Sequence, residues 1–235
     1  MESVLMIIEV IADTVRDAKL AEQAGANRIE LISGVTEGGL TPSYGLIKSV
    51  CETVKIPVNV MIRPHSRSFC YTKEELEIMA TDIKACKELN ASGVVFGTNT
   101  QYGTVDEAAL TYLIQAAEGL DITFHRAFDE VSDQLKALEI IQSYPAISRV
   151  LTSGGKMKAS EAVEQFNRLI SRSSKTSLSI MAGAGLTEEN ISTFIKKTQI
   201  EEIHIGSGAR NHNSLTESIN PDKVKKIVHI CRSIK

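Results

Sequence analysis

No stretch of the 235-residue sequence approaches the roughly 18 consecutive apolar residues of a transmembrane helix. The opening MESVLMIIEV heads straight into a strand-like run, without a basic leader or a cleavage site. The expectation is a cytoplasmic protein with no membrane partner. An excess of one charge is also missing: 26 basic against 29 acidic residues leave a formal net charge of -3, too little to gather nucleic acid. Cysteine is scarce, with four in the chain and no CxxC pair, so neither a disulfide framework nor a zinc knuckle is indicated. Cys51, Cys86 and Cys231 continue apolar stripes at helical spacing and read as core. Cys70 alone lies in a polar segment, between His65 and Tyr71. No Pro/Ser-rich linker, charge block or low-complexity stretch divides the chain, so residues 1–235 read as one domain.

What is there is alternation. Strand-like runs near 4–10, 28–32, 57–63, 93–97, 121–126, 147–153, 178–183 and 202–206 take turns with amphipathic segments near 13–24, 43–54, 73–89, 106–117, 132–143, 159–172, 187–197 and 221–233. Runs such as Val58–Ile62 and Gly93–Phe96 suit strands buried on both faces. Thr72 with Glu75, and Thr104 with Glu107, have capping-box spacing, and Thr41-Pro42 places a hydroxyl before a helix-starting proline. Eight βα units predict an α/β fold of the (β/α)8 TIM-barrel type. The alternative, an open doubly wound sheet, lacks its GxGxxG fingerprint: the first strand–helix turn reads Glu9-Val10-Ile11-Ala12-Asp13.

A barrel collects its chemistry at the C-terminal ends of its strands. Glu9, Glu30, Arg63, His125 and His204 are polar groups at or near such ends in otherwise apolar runs, and burying them is costly unless they are paired. They could pair only with one another; Arg28 and Glu30, two apart on one strand face, invite such a salt bridge. Two glutamates, an arginine and a histidine from four strand ends are nonetheless more than an ordinary barrel interior of Val, Ile and Leu requires. The set resembles a general acid/base pocket, in which histidine moves protons, the carboxylates act as bases and Arg63 holds an anion. Asp129, on the same segment as His125, is counted with them as a candidate catalytic residue.

The turns after the seventh and eighth strands, Met181–Thr187 and Ile205–Arg210, are glycine-rich. Barrels often bind phosphate there through backbone amides, which glycine lets an anion approach closely. Gly183, Gly185, Gly206 and Ser207 are therefore candidate anion-binding residues, with Ser153 and Gly154 after the sixth strand; each turn is also what an ordinary strand end would show.

Glu37-Gly38-Gly39-Leu40-Thr41-Pro42-Ser43-Tyr44-Gly45, Val60-Met61-Ile62-Arg63-Pro64, Thr123-Phe124-His125-Arg126-Ala127-Phe128-Asp129 and Ile180-Met181-Ala182-Gly183-Ala184-Gly185 closely resemble the CutC family, over about residues 9–210. The resemblance implies a barrel fold and a cytoplasmic role in copper homeostasis, with a copper ion as a possible ligand. Two departures bear on that implication. Ile11 and Ile32 stand where the family commonly has cysteine, so two soft ligands are lost. Near the eighth strand the sequence His204-Ile205-Gly206-Ser207-Gly208-Ala209-Arg210 adds glycine and an arginine, which favours an anion. No metal-ligand set is assigned from the residues themselves; the soft donors left are Cys70, Met61 and Met181. The expected partner is a small-molecule anion or a copper ion, and a homodimer is the base-rate expectation. Three readings stand: direct copper binding, an enzyme acting on a small anionic or phosphorylated metabolite with an indirect copper role, and a non-catalytic structural barrel.

Overall fold

Short β-branched runs bounded by glycine and polar residues form eight strands: β1 (Ile7–Ala12), β2 (Arg28–Leu31), β3 (Val58–Met61), β4 (Gly93–Phe96), β5 (Asp121–Phe124), β6 (Ile147–Thr152), β7 (Ser179–Ala182) and β8 (Glu202–Ile205). The computed structural model describes residues 6–234. Every strand pairs in parallel with the next, and β8 closes on β1, giving a barrel in sequence order rather than an open sheet. The helices between them are α1 (Val15–Gln23), α2 (Tyr44–Cys51), α3 (Lys73–Glu88), α4 (Glu107–Ala116), α5 (Gln134–Gln142), α6 (Val163–Ser173), α7 (Ile191–Thr198) and α8 (Pro221–Ile234). The TIM barrel read from the sequence is the fold.

Strand parity sorts the apolar residues into two separate clusters. Ile8, Val10, Ile29, Leu31, Val60, Val94, Phe96, Phe124, Val150 and Ile203 point outward and pack with helix residues such as Ala18, Val50, Ile83, Leu138 and Phe166. Each such side chain, fully buried, contributes roughly 1.5–3 kcal/mol. A small second cluster, Ile32, Met61 and Val95 with Ile11 against it, lies inside the barrel.

Several boundaries differ from the expected ones, for local reasons. The first strand begins at Ile7 and runs two residues past Val10; residues 4 and 5 of its expected range lie outside the described residues. The Thr72–Glu75 capping box is present, but α4 is capped by Asp106, whose carboxylate accepts from Ala109 N. Thr104 instead bonds Thr100 within the preceding turn. Similarly, α2 is capped by Ser43 and not by Thr41; the Thr41 hydroxyl accepts the Arg63 amide, 2.8 Å away, and ties this loop to the end of β3. The expected helix over 187–197 starts only at Ile191, because Asn190 folds back on Thr187 N and Gly185 O. Cys86 and Cys231 are buried as expected, whereas Cys51 is half-buried.

The N-terminal half of the barrel interior holds charge. Arg28 donates from Nη2 to Glu202 (2.7 Å) and from Nε to Glu9 (2.5 Å). Arg149 binds Glu202 at 3.1 Å and also Asp121 and Thr123, and Asn59 Nδ2 reaches Asp121 at 3.2 Å. Arg28 thus pairs with β1 and β8, not with Glu30. Arg149 enters this belt because the β5–β6 register slips between Ile122 and Thr123; Ile147 faces the outer core, and one extra residue turns Arg149 inward. Gly93 makes room for it, since a Cβ there would lie 2.5 Å from Asp121 O and 2.6 Å from Asn59 Oδ1.

Candidate active site at the C-terminal mouth

Above the charged belt, the strand ends and their loops enclose a cavity of about 300 Å³, at the small end of ordinary ligand sites. Glu30, Arg63, His125 and His204, from four different strands, line it, with Arg126, Gly185, Gly206 and Ser207 at the rim and apolar walls from Ile11, Ile32, Met61, Phe69, Leu151 and Leu215.

His204 links the belt to the cavity. Its Nδ1 lies 2.7 Å from Glu9 Oε1, while its Nε2 faces Glu30 Oε2 at 3.7 Å. Glu9 is wholly buried and lies behind His204 rather than in the cavity wall. Burial alone would raise its pKa, but Arg28 and His204 hold the carboxyl well below the usual carboxylate range. An ionised Glu9 fixes the proton on Nδ1 of His204 and aims Nε2 at the cavity. Glu30 has no comparable support: burial, reinforced by the nearby Glu9 charge and only partly opposed by His204 and Arg28, pushes it up to about 7. For His204 burial opposes protonation, yet Glu30 and Glu9 outweigh it and its pKa rises. Glu30, titrating near neutrality, and the imidazole facing it, whose pKa is raised, are equipped to pass a proton.

The other two polar groups of the cavity, Arg63 and His125, are built to donate. The Nδ1 of His125 accepts the amide of Ala127 at 3.2 Å, which leaves its proton on Nε2. Burial, with Arg63 and Arg126 nearby, lowers its pKa to about 3, so this histidine is neutral and a hydrogen-bond donor into the cavity. Arg63 is held by the carbonyls of Glu37, Gly39 and Ser66 and stacks on Phe69, with Cζ 4.5 Å from the ring centroid. Among the described residues no carboxylate pairs with it. Glu30 Oε1, Arg63 Nε and His125 Nε2 are all buried without a hydrogen-bond partner in the protein, an arrangement that costs roughly 1–3 kcal/mol for each neutral group.

Other expected residues fall elsewhere. Asp129 is absent from the cavity wall; it accepts from Thr152 Oγ1 (2.5 Å), Ser153 N (3.0 Å) and Arg126 Nε (2.7 Å), and so pins the loop after β5 to the end of β6. Ser153 and Gly154 belong to that pin. Gly183 is a packing glycine, whose Cβ would stand 2.7 Å from Leu151 Cδ1. Gly185, Gly206 and Ser207 do face the cavity. Arg210, expected to favour an anion, is turned away and consumed by Asp17 (3.0 Å) and Asp13 (3.2 Å) beneath the β1–α1 loop. Sequence reasoning missed Arg126 and the apolar walls. Met61 was named only as a soft donor, and Leu215 comes from a long loop that carries no local signal.

The oxygens of Glu9 and Glu30 and a ring nitrogen of His204 lie within 4.8 Å of one another. Both Glu9 oxygens are already engaged by Arg28 and His204, which leaves only Glu30 and His204 Nε2 free for a ligand. Cys70 is outside the cavity wall, and Met181 Sδ accepts from Arg28 at 3.2 Å.

The chain as a whole matches known proteins. The chain is 43% identical to a CutC family protein of Pasteurella multocida over 207 residues, 87% of this chain and 84% of that one. It is 41% identical to the human copper homeostasis protein cutC homolog over 198 residues, 84% of this chain and 72% of that one. A crystal structure of a copper homeostasis protein CutC from Streptococcus agalactiae superposes with a TM-score of 0.80 at 31% identity, covering 85% of this chain and 98% of that one. Phosphoribosylanthranilate isomerase from Thermotoga maritima shares the fold alone, with a TM-score of 0.65 at 12% identity, covering 97% of this chain and 100% of that one. The CutC family model matches residues 6–209, the span that carries every cavity-lining residue except Leu215, and the chain belongs to the CutC family.

Proposed function

We propose that this CutC-family chain takes part in copper homeostasis as a cytoplasmic acid–base enzyme acting on a small anionic metabolite, so that its effect on copper is indirect. The observation that carries this reading is the Glu9–His204–Glu30 line at the floor of the cavity. One carboxylate is locked as an ion to orient the imidazole, and the second is free and titrates near neutrality. Arg63 and His125 supply the positive and donor wall for an anion, and the turns at Gly185 and Gly206–Ser207 are suited to a phosphate on it. Direct copper binding has less support, because Ile11 and Ile32 add no sulfur and Met61 is the one sulfur donor in the cavity wall.

Native mass spectrometry of freshly purified protein, with thermal melts in inorganic phosphate, tests the proposal. A co-purifying organic anion, or a phosphate-dependent rise in melting temperature that is lost in Arg63→Met, is expected. A stoichiometric copper adduct without either effect would replace the proposal with direct metal binding.

A further inference from the structure

The cavity specifies more than an anion. Its three buried polar atoms without protein partners are of two kinds. Arg63 Nε–H and His125 Nε2–H are donors, whereas Glu30 Oε1 belongs to a carboxyl group. The residues are 7%, 3% and 2% exposed, so bulk water is a poor substitute for a ligand. The two donor residues flank one ring: Arg63 Cζ lies 4.5 Å and the His125 ring 4.7 Å from the Phe69 centroid. Glu30 lines the same cavity, with its second oxygen 3.7 Å from His204 Nε2.

A ligand that satisfies all three atoms presents an electron-rich oxygen to the two N–H groups and a removable hydrogen to the carboxylate. Inorganic phosphate has the oxygens but no such hydrogen on carbon. An alcohol has the oxygen, but its neighbouring C–H is not acidic. A carbonyl compound with hydrogen on the adjacent carbon has both, and the remaining wall of Ile11, Ile32, Met61 and Leu151 accepts its short carbon skeleton. A neutral histidine in one site with a carboxylate base is a known combination for polarising a carbonyl during enolisation.

We infer that the cavity binds a small carbonyl compound and catalyses proton transfer at the carbon next to the carbonyl, with Glu30 as the base and Arg63 and His125 holding the oxygen. This rests on the acid–base reading of the site. Glu30 as carboxylate takes the hydrogen as a proton, and the C–H electron pair becomes the new C=C bond. The carbonyl π pair moves onto oxygen, and the resulting enolate oxygen is held by Arg63 Nε–H and His125 Nε2–H. Return of the proton from Glu30 to the same carbon regenerates the starting compound; its delivery to the former carbonyl carbon of a hydroxy-carbonyl substrate, with His204 moving the hydroxyl proton, gives the isomer. No oxidant or reductant enters. Glu30, His125 and Arg63 are catalytic residues in this scheme, and Glu9 is a positioning residue acting through His204.

The experiment uses two matched pairs of probes with the whole chain: dihydroxyacetone phosphate against glycerol 3-phosphate, and pyruvate against lactate. Each pair differs in whether the oxygen is carbonyl or alcohol. Binding is read by thermal melts, and exchange of the α-hydrogens by proton NMR in deuterium oxide. The expected result is tighter binding of at least one carbonyl member than its alcohol partner, with enzyme-dependent exchange. Exchange falls at least about 100-fold in Glu30→Gln while that variant still binds the probe, and Glu30→Asp, which keeps the charge, recovers part of it. Equal protection by both members of each pair without exchange overturns the carbonyl inference and leaves the acid–base site standing. No protection by any probe or by phosphate overturns both. If Glu30→Gln fails to fold, His125→Gln, which keeps a donor, and His125→Phe, which removes it, replace it: equal exchange in the two would also overturn the inference.

Discussion

Glu9 and His204, from the neighbouring strands β1 and β8, sit side by side in register and are joined by a 2.7 Å contact between Oε1 and Nδ1. The other Glu9 oxygen is bound by Arg28, so one fully buried carboxylate fixes both a guanidinium of the lower belt and an imidazole of the cavity.

Glu9→Gln therefore leaves the buried Arg28 short of an ion partner. Removing one member of a buried pair costs about 3–5 kcal/mol, and a loss in that range is expected in urea unfolding. Glu30→Gln, which loses only the 3.7 Å contact with His204, is expected to cost far less. Equal costs would mean that the belt is not held through Glu9.

The raised Glu30 pKa makes stability depend on pH in a definite direction. Between the ordinary carboxyl value of 4.5 and about 7 the folded state keeps a proton that the unfolded chain has lost, so stability falls as pH rises through that window. The size is on the order of 3 kcal/mol. His204, facing Glu30 and raised by it and by Glu9, adds a contribution that is present below its unfolded value of about 6.5 and is lost as pH rises through its folded value. Melting temperatures measured from pH 5 to 8 should decline in the wild type and much less in Glu30→Gln. A wild-type profile that rises over the range would contradict the assignment.

Gly208 and Gly45 make a paired test of backbone space. A Cβ at Gly208 would fall 2.1 Å from Leu186 O, where the turns after β7 and β8 touch, whereas nothing lies within 4 Å of one at Gly45 in α2. Gly208→Ala should lose about 2–3 kcal/mol, and Gly45→Ala should gain up to about 1 kcal/mol from better helix propensity. Chemical denaturation of both variants checks the contrast.

Copper binding offers a further check. Cys70 is half-buried and outside the cavity wall, and Met61 alone contributes sulfur there. Competition with a Cu(I) chelator should show weak retention that Cys70→Ser leaves unchanged. One tightly held Cu(I) per chain, lost in Cys70→Ser, would assign direct copper binding to the protein.

Short β-branched runs taking turns with amphipathic segments carried the strands, and the strand-end position carried Glu30, Arg63, His125 and His204 into one cavity. Its limits are physical. Arg149 reaches the interior through a register slip that no alternation pattern encodes. Asp129 had the residue type of a catalytic group, but its environment is six atoms' worth of local donors from Gln134, Thr152, Ser153, Gly155 and Arg126, brought together only by folding. Arg210 illustrates the same point: its charge suggested an anion, and Asp13 and Asp17, almost two hundred residues earlier in sequence, claim it. Residue type announces an interaction, and the chain's three-dimensional path chooses the partner.

The belt of Arg28, Glu202, Arg149 and Asp121 fills the lower half of the barrel with groups that tie β2, β8, β6 and β5 to one another. The cavity is thus a vessel with one door. Whatever enters at the C-terminal mouth must also leave there, so a product that lingers occupies the only approach open to the next molecule, and accumulating product would restrain the flux by excluding its own precursor.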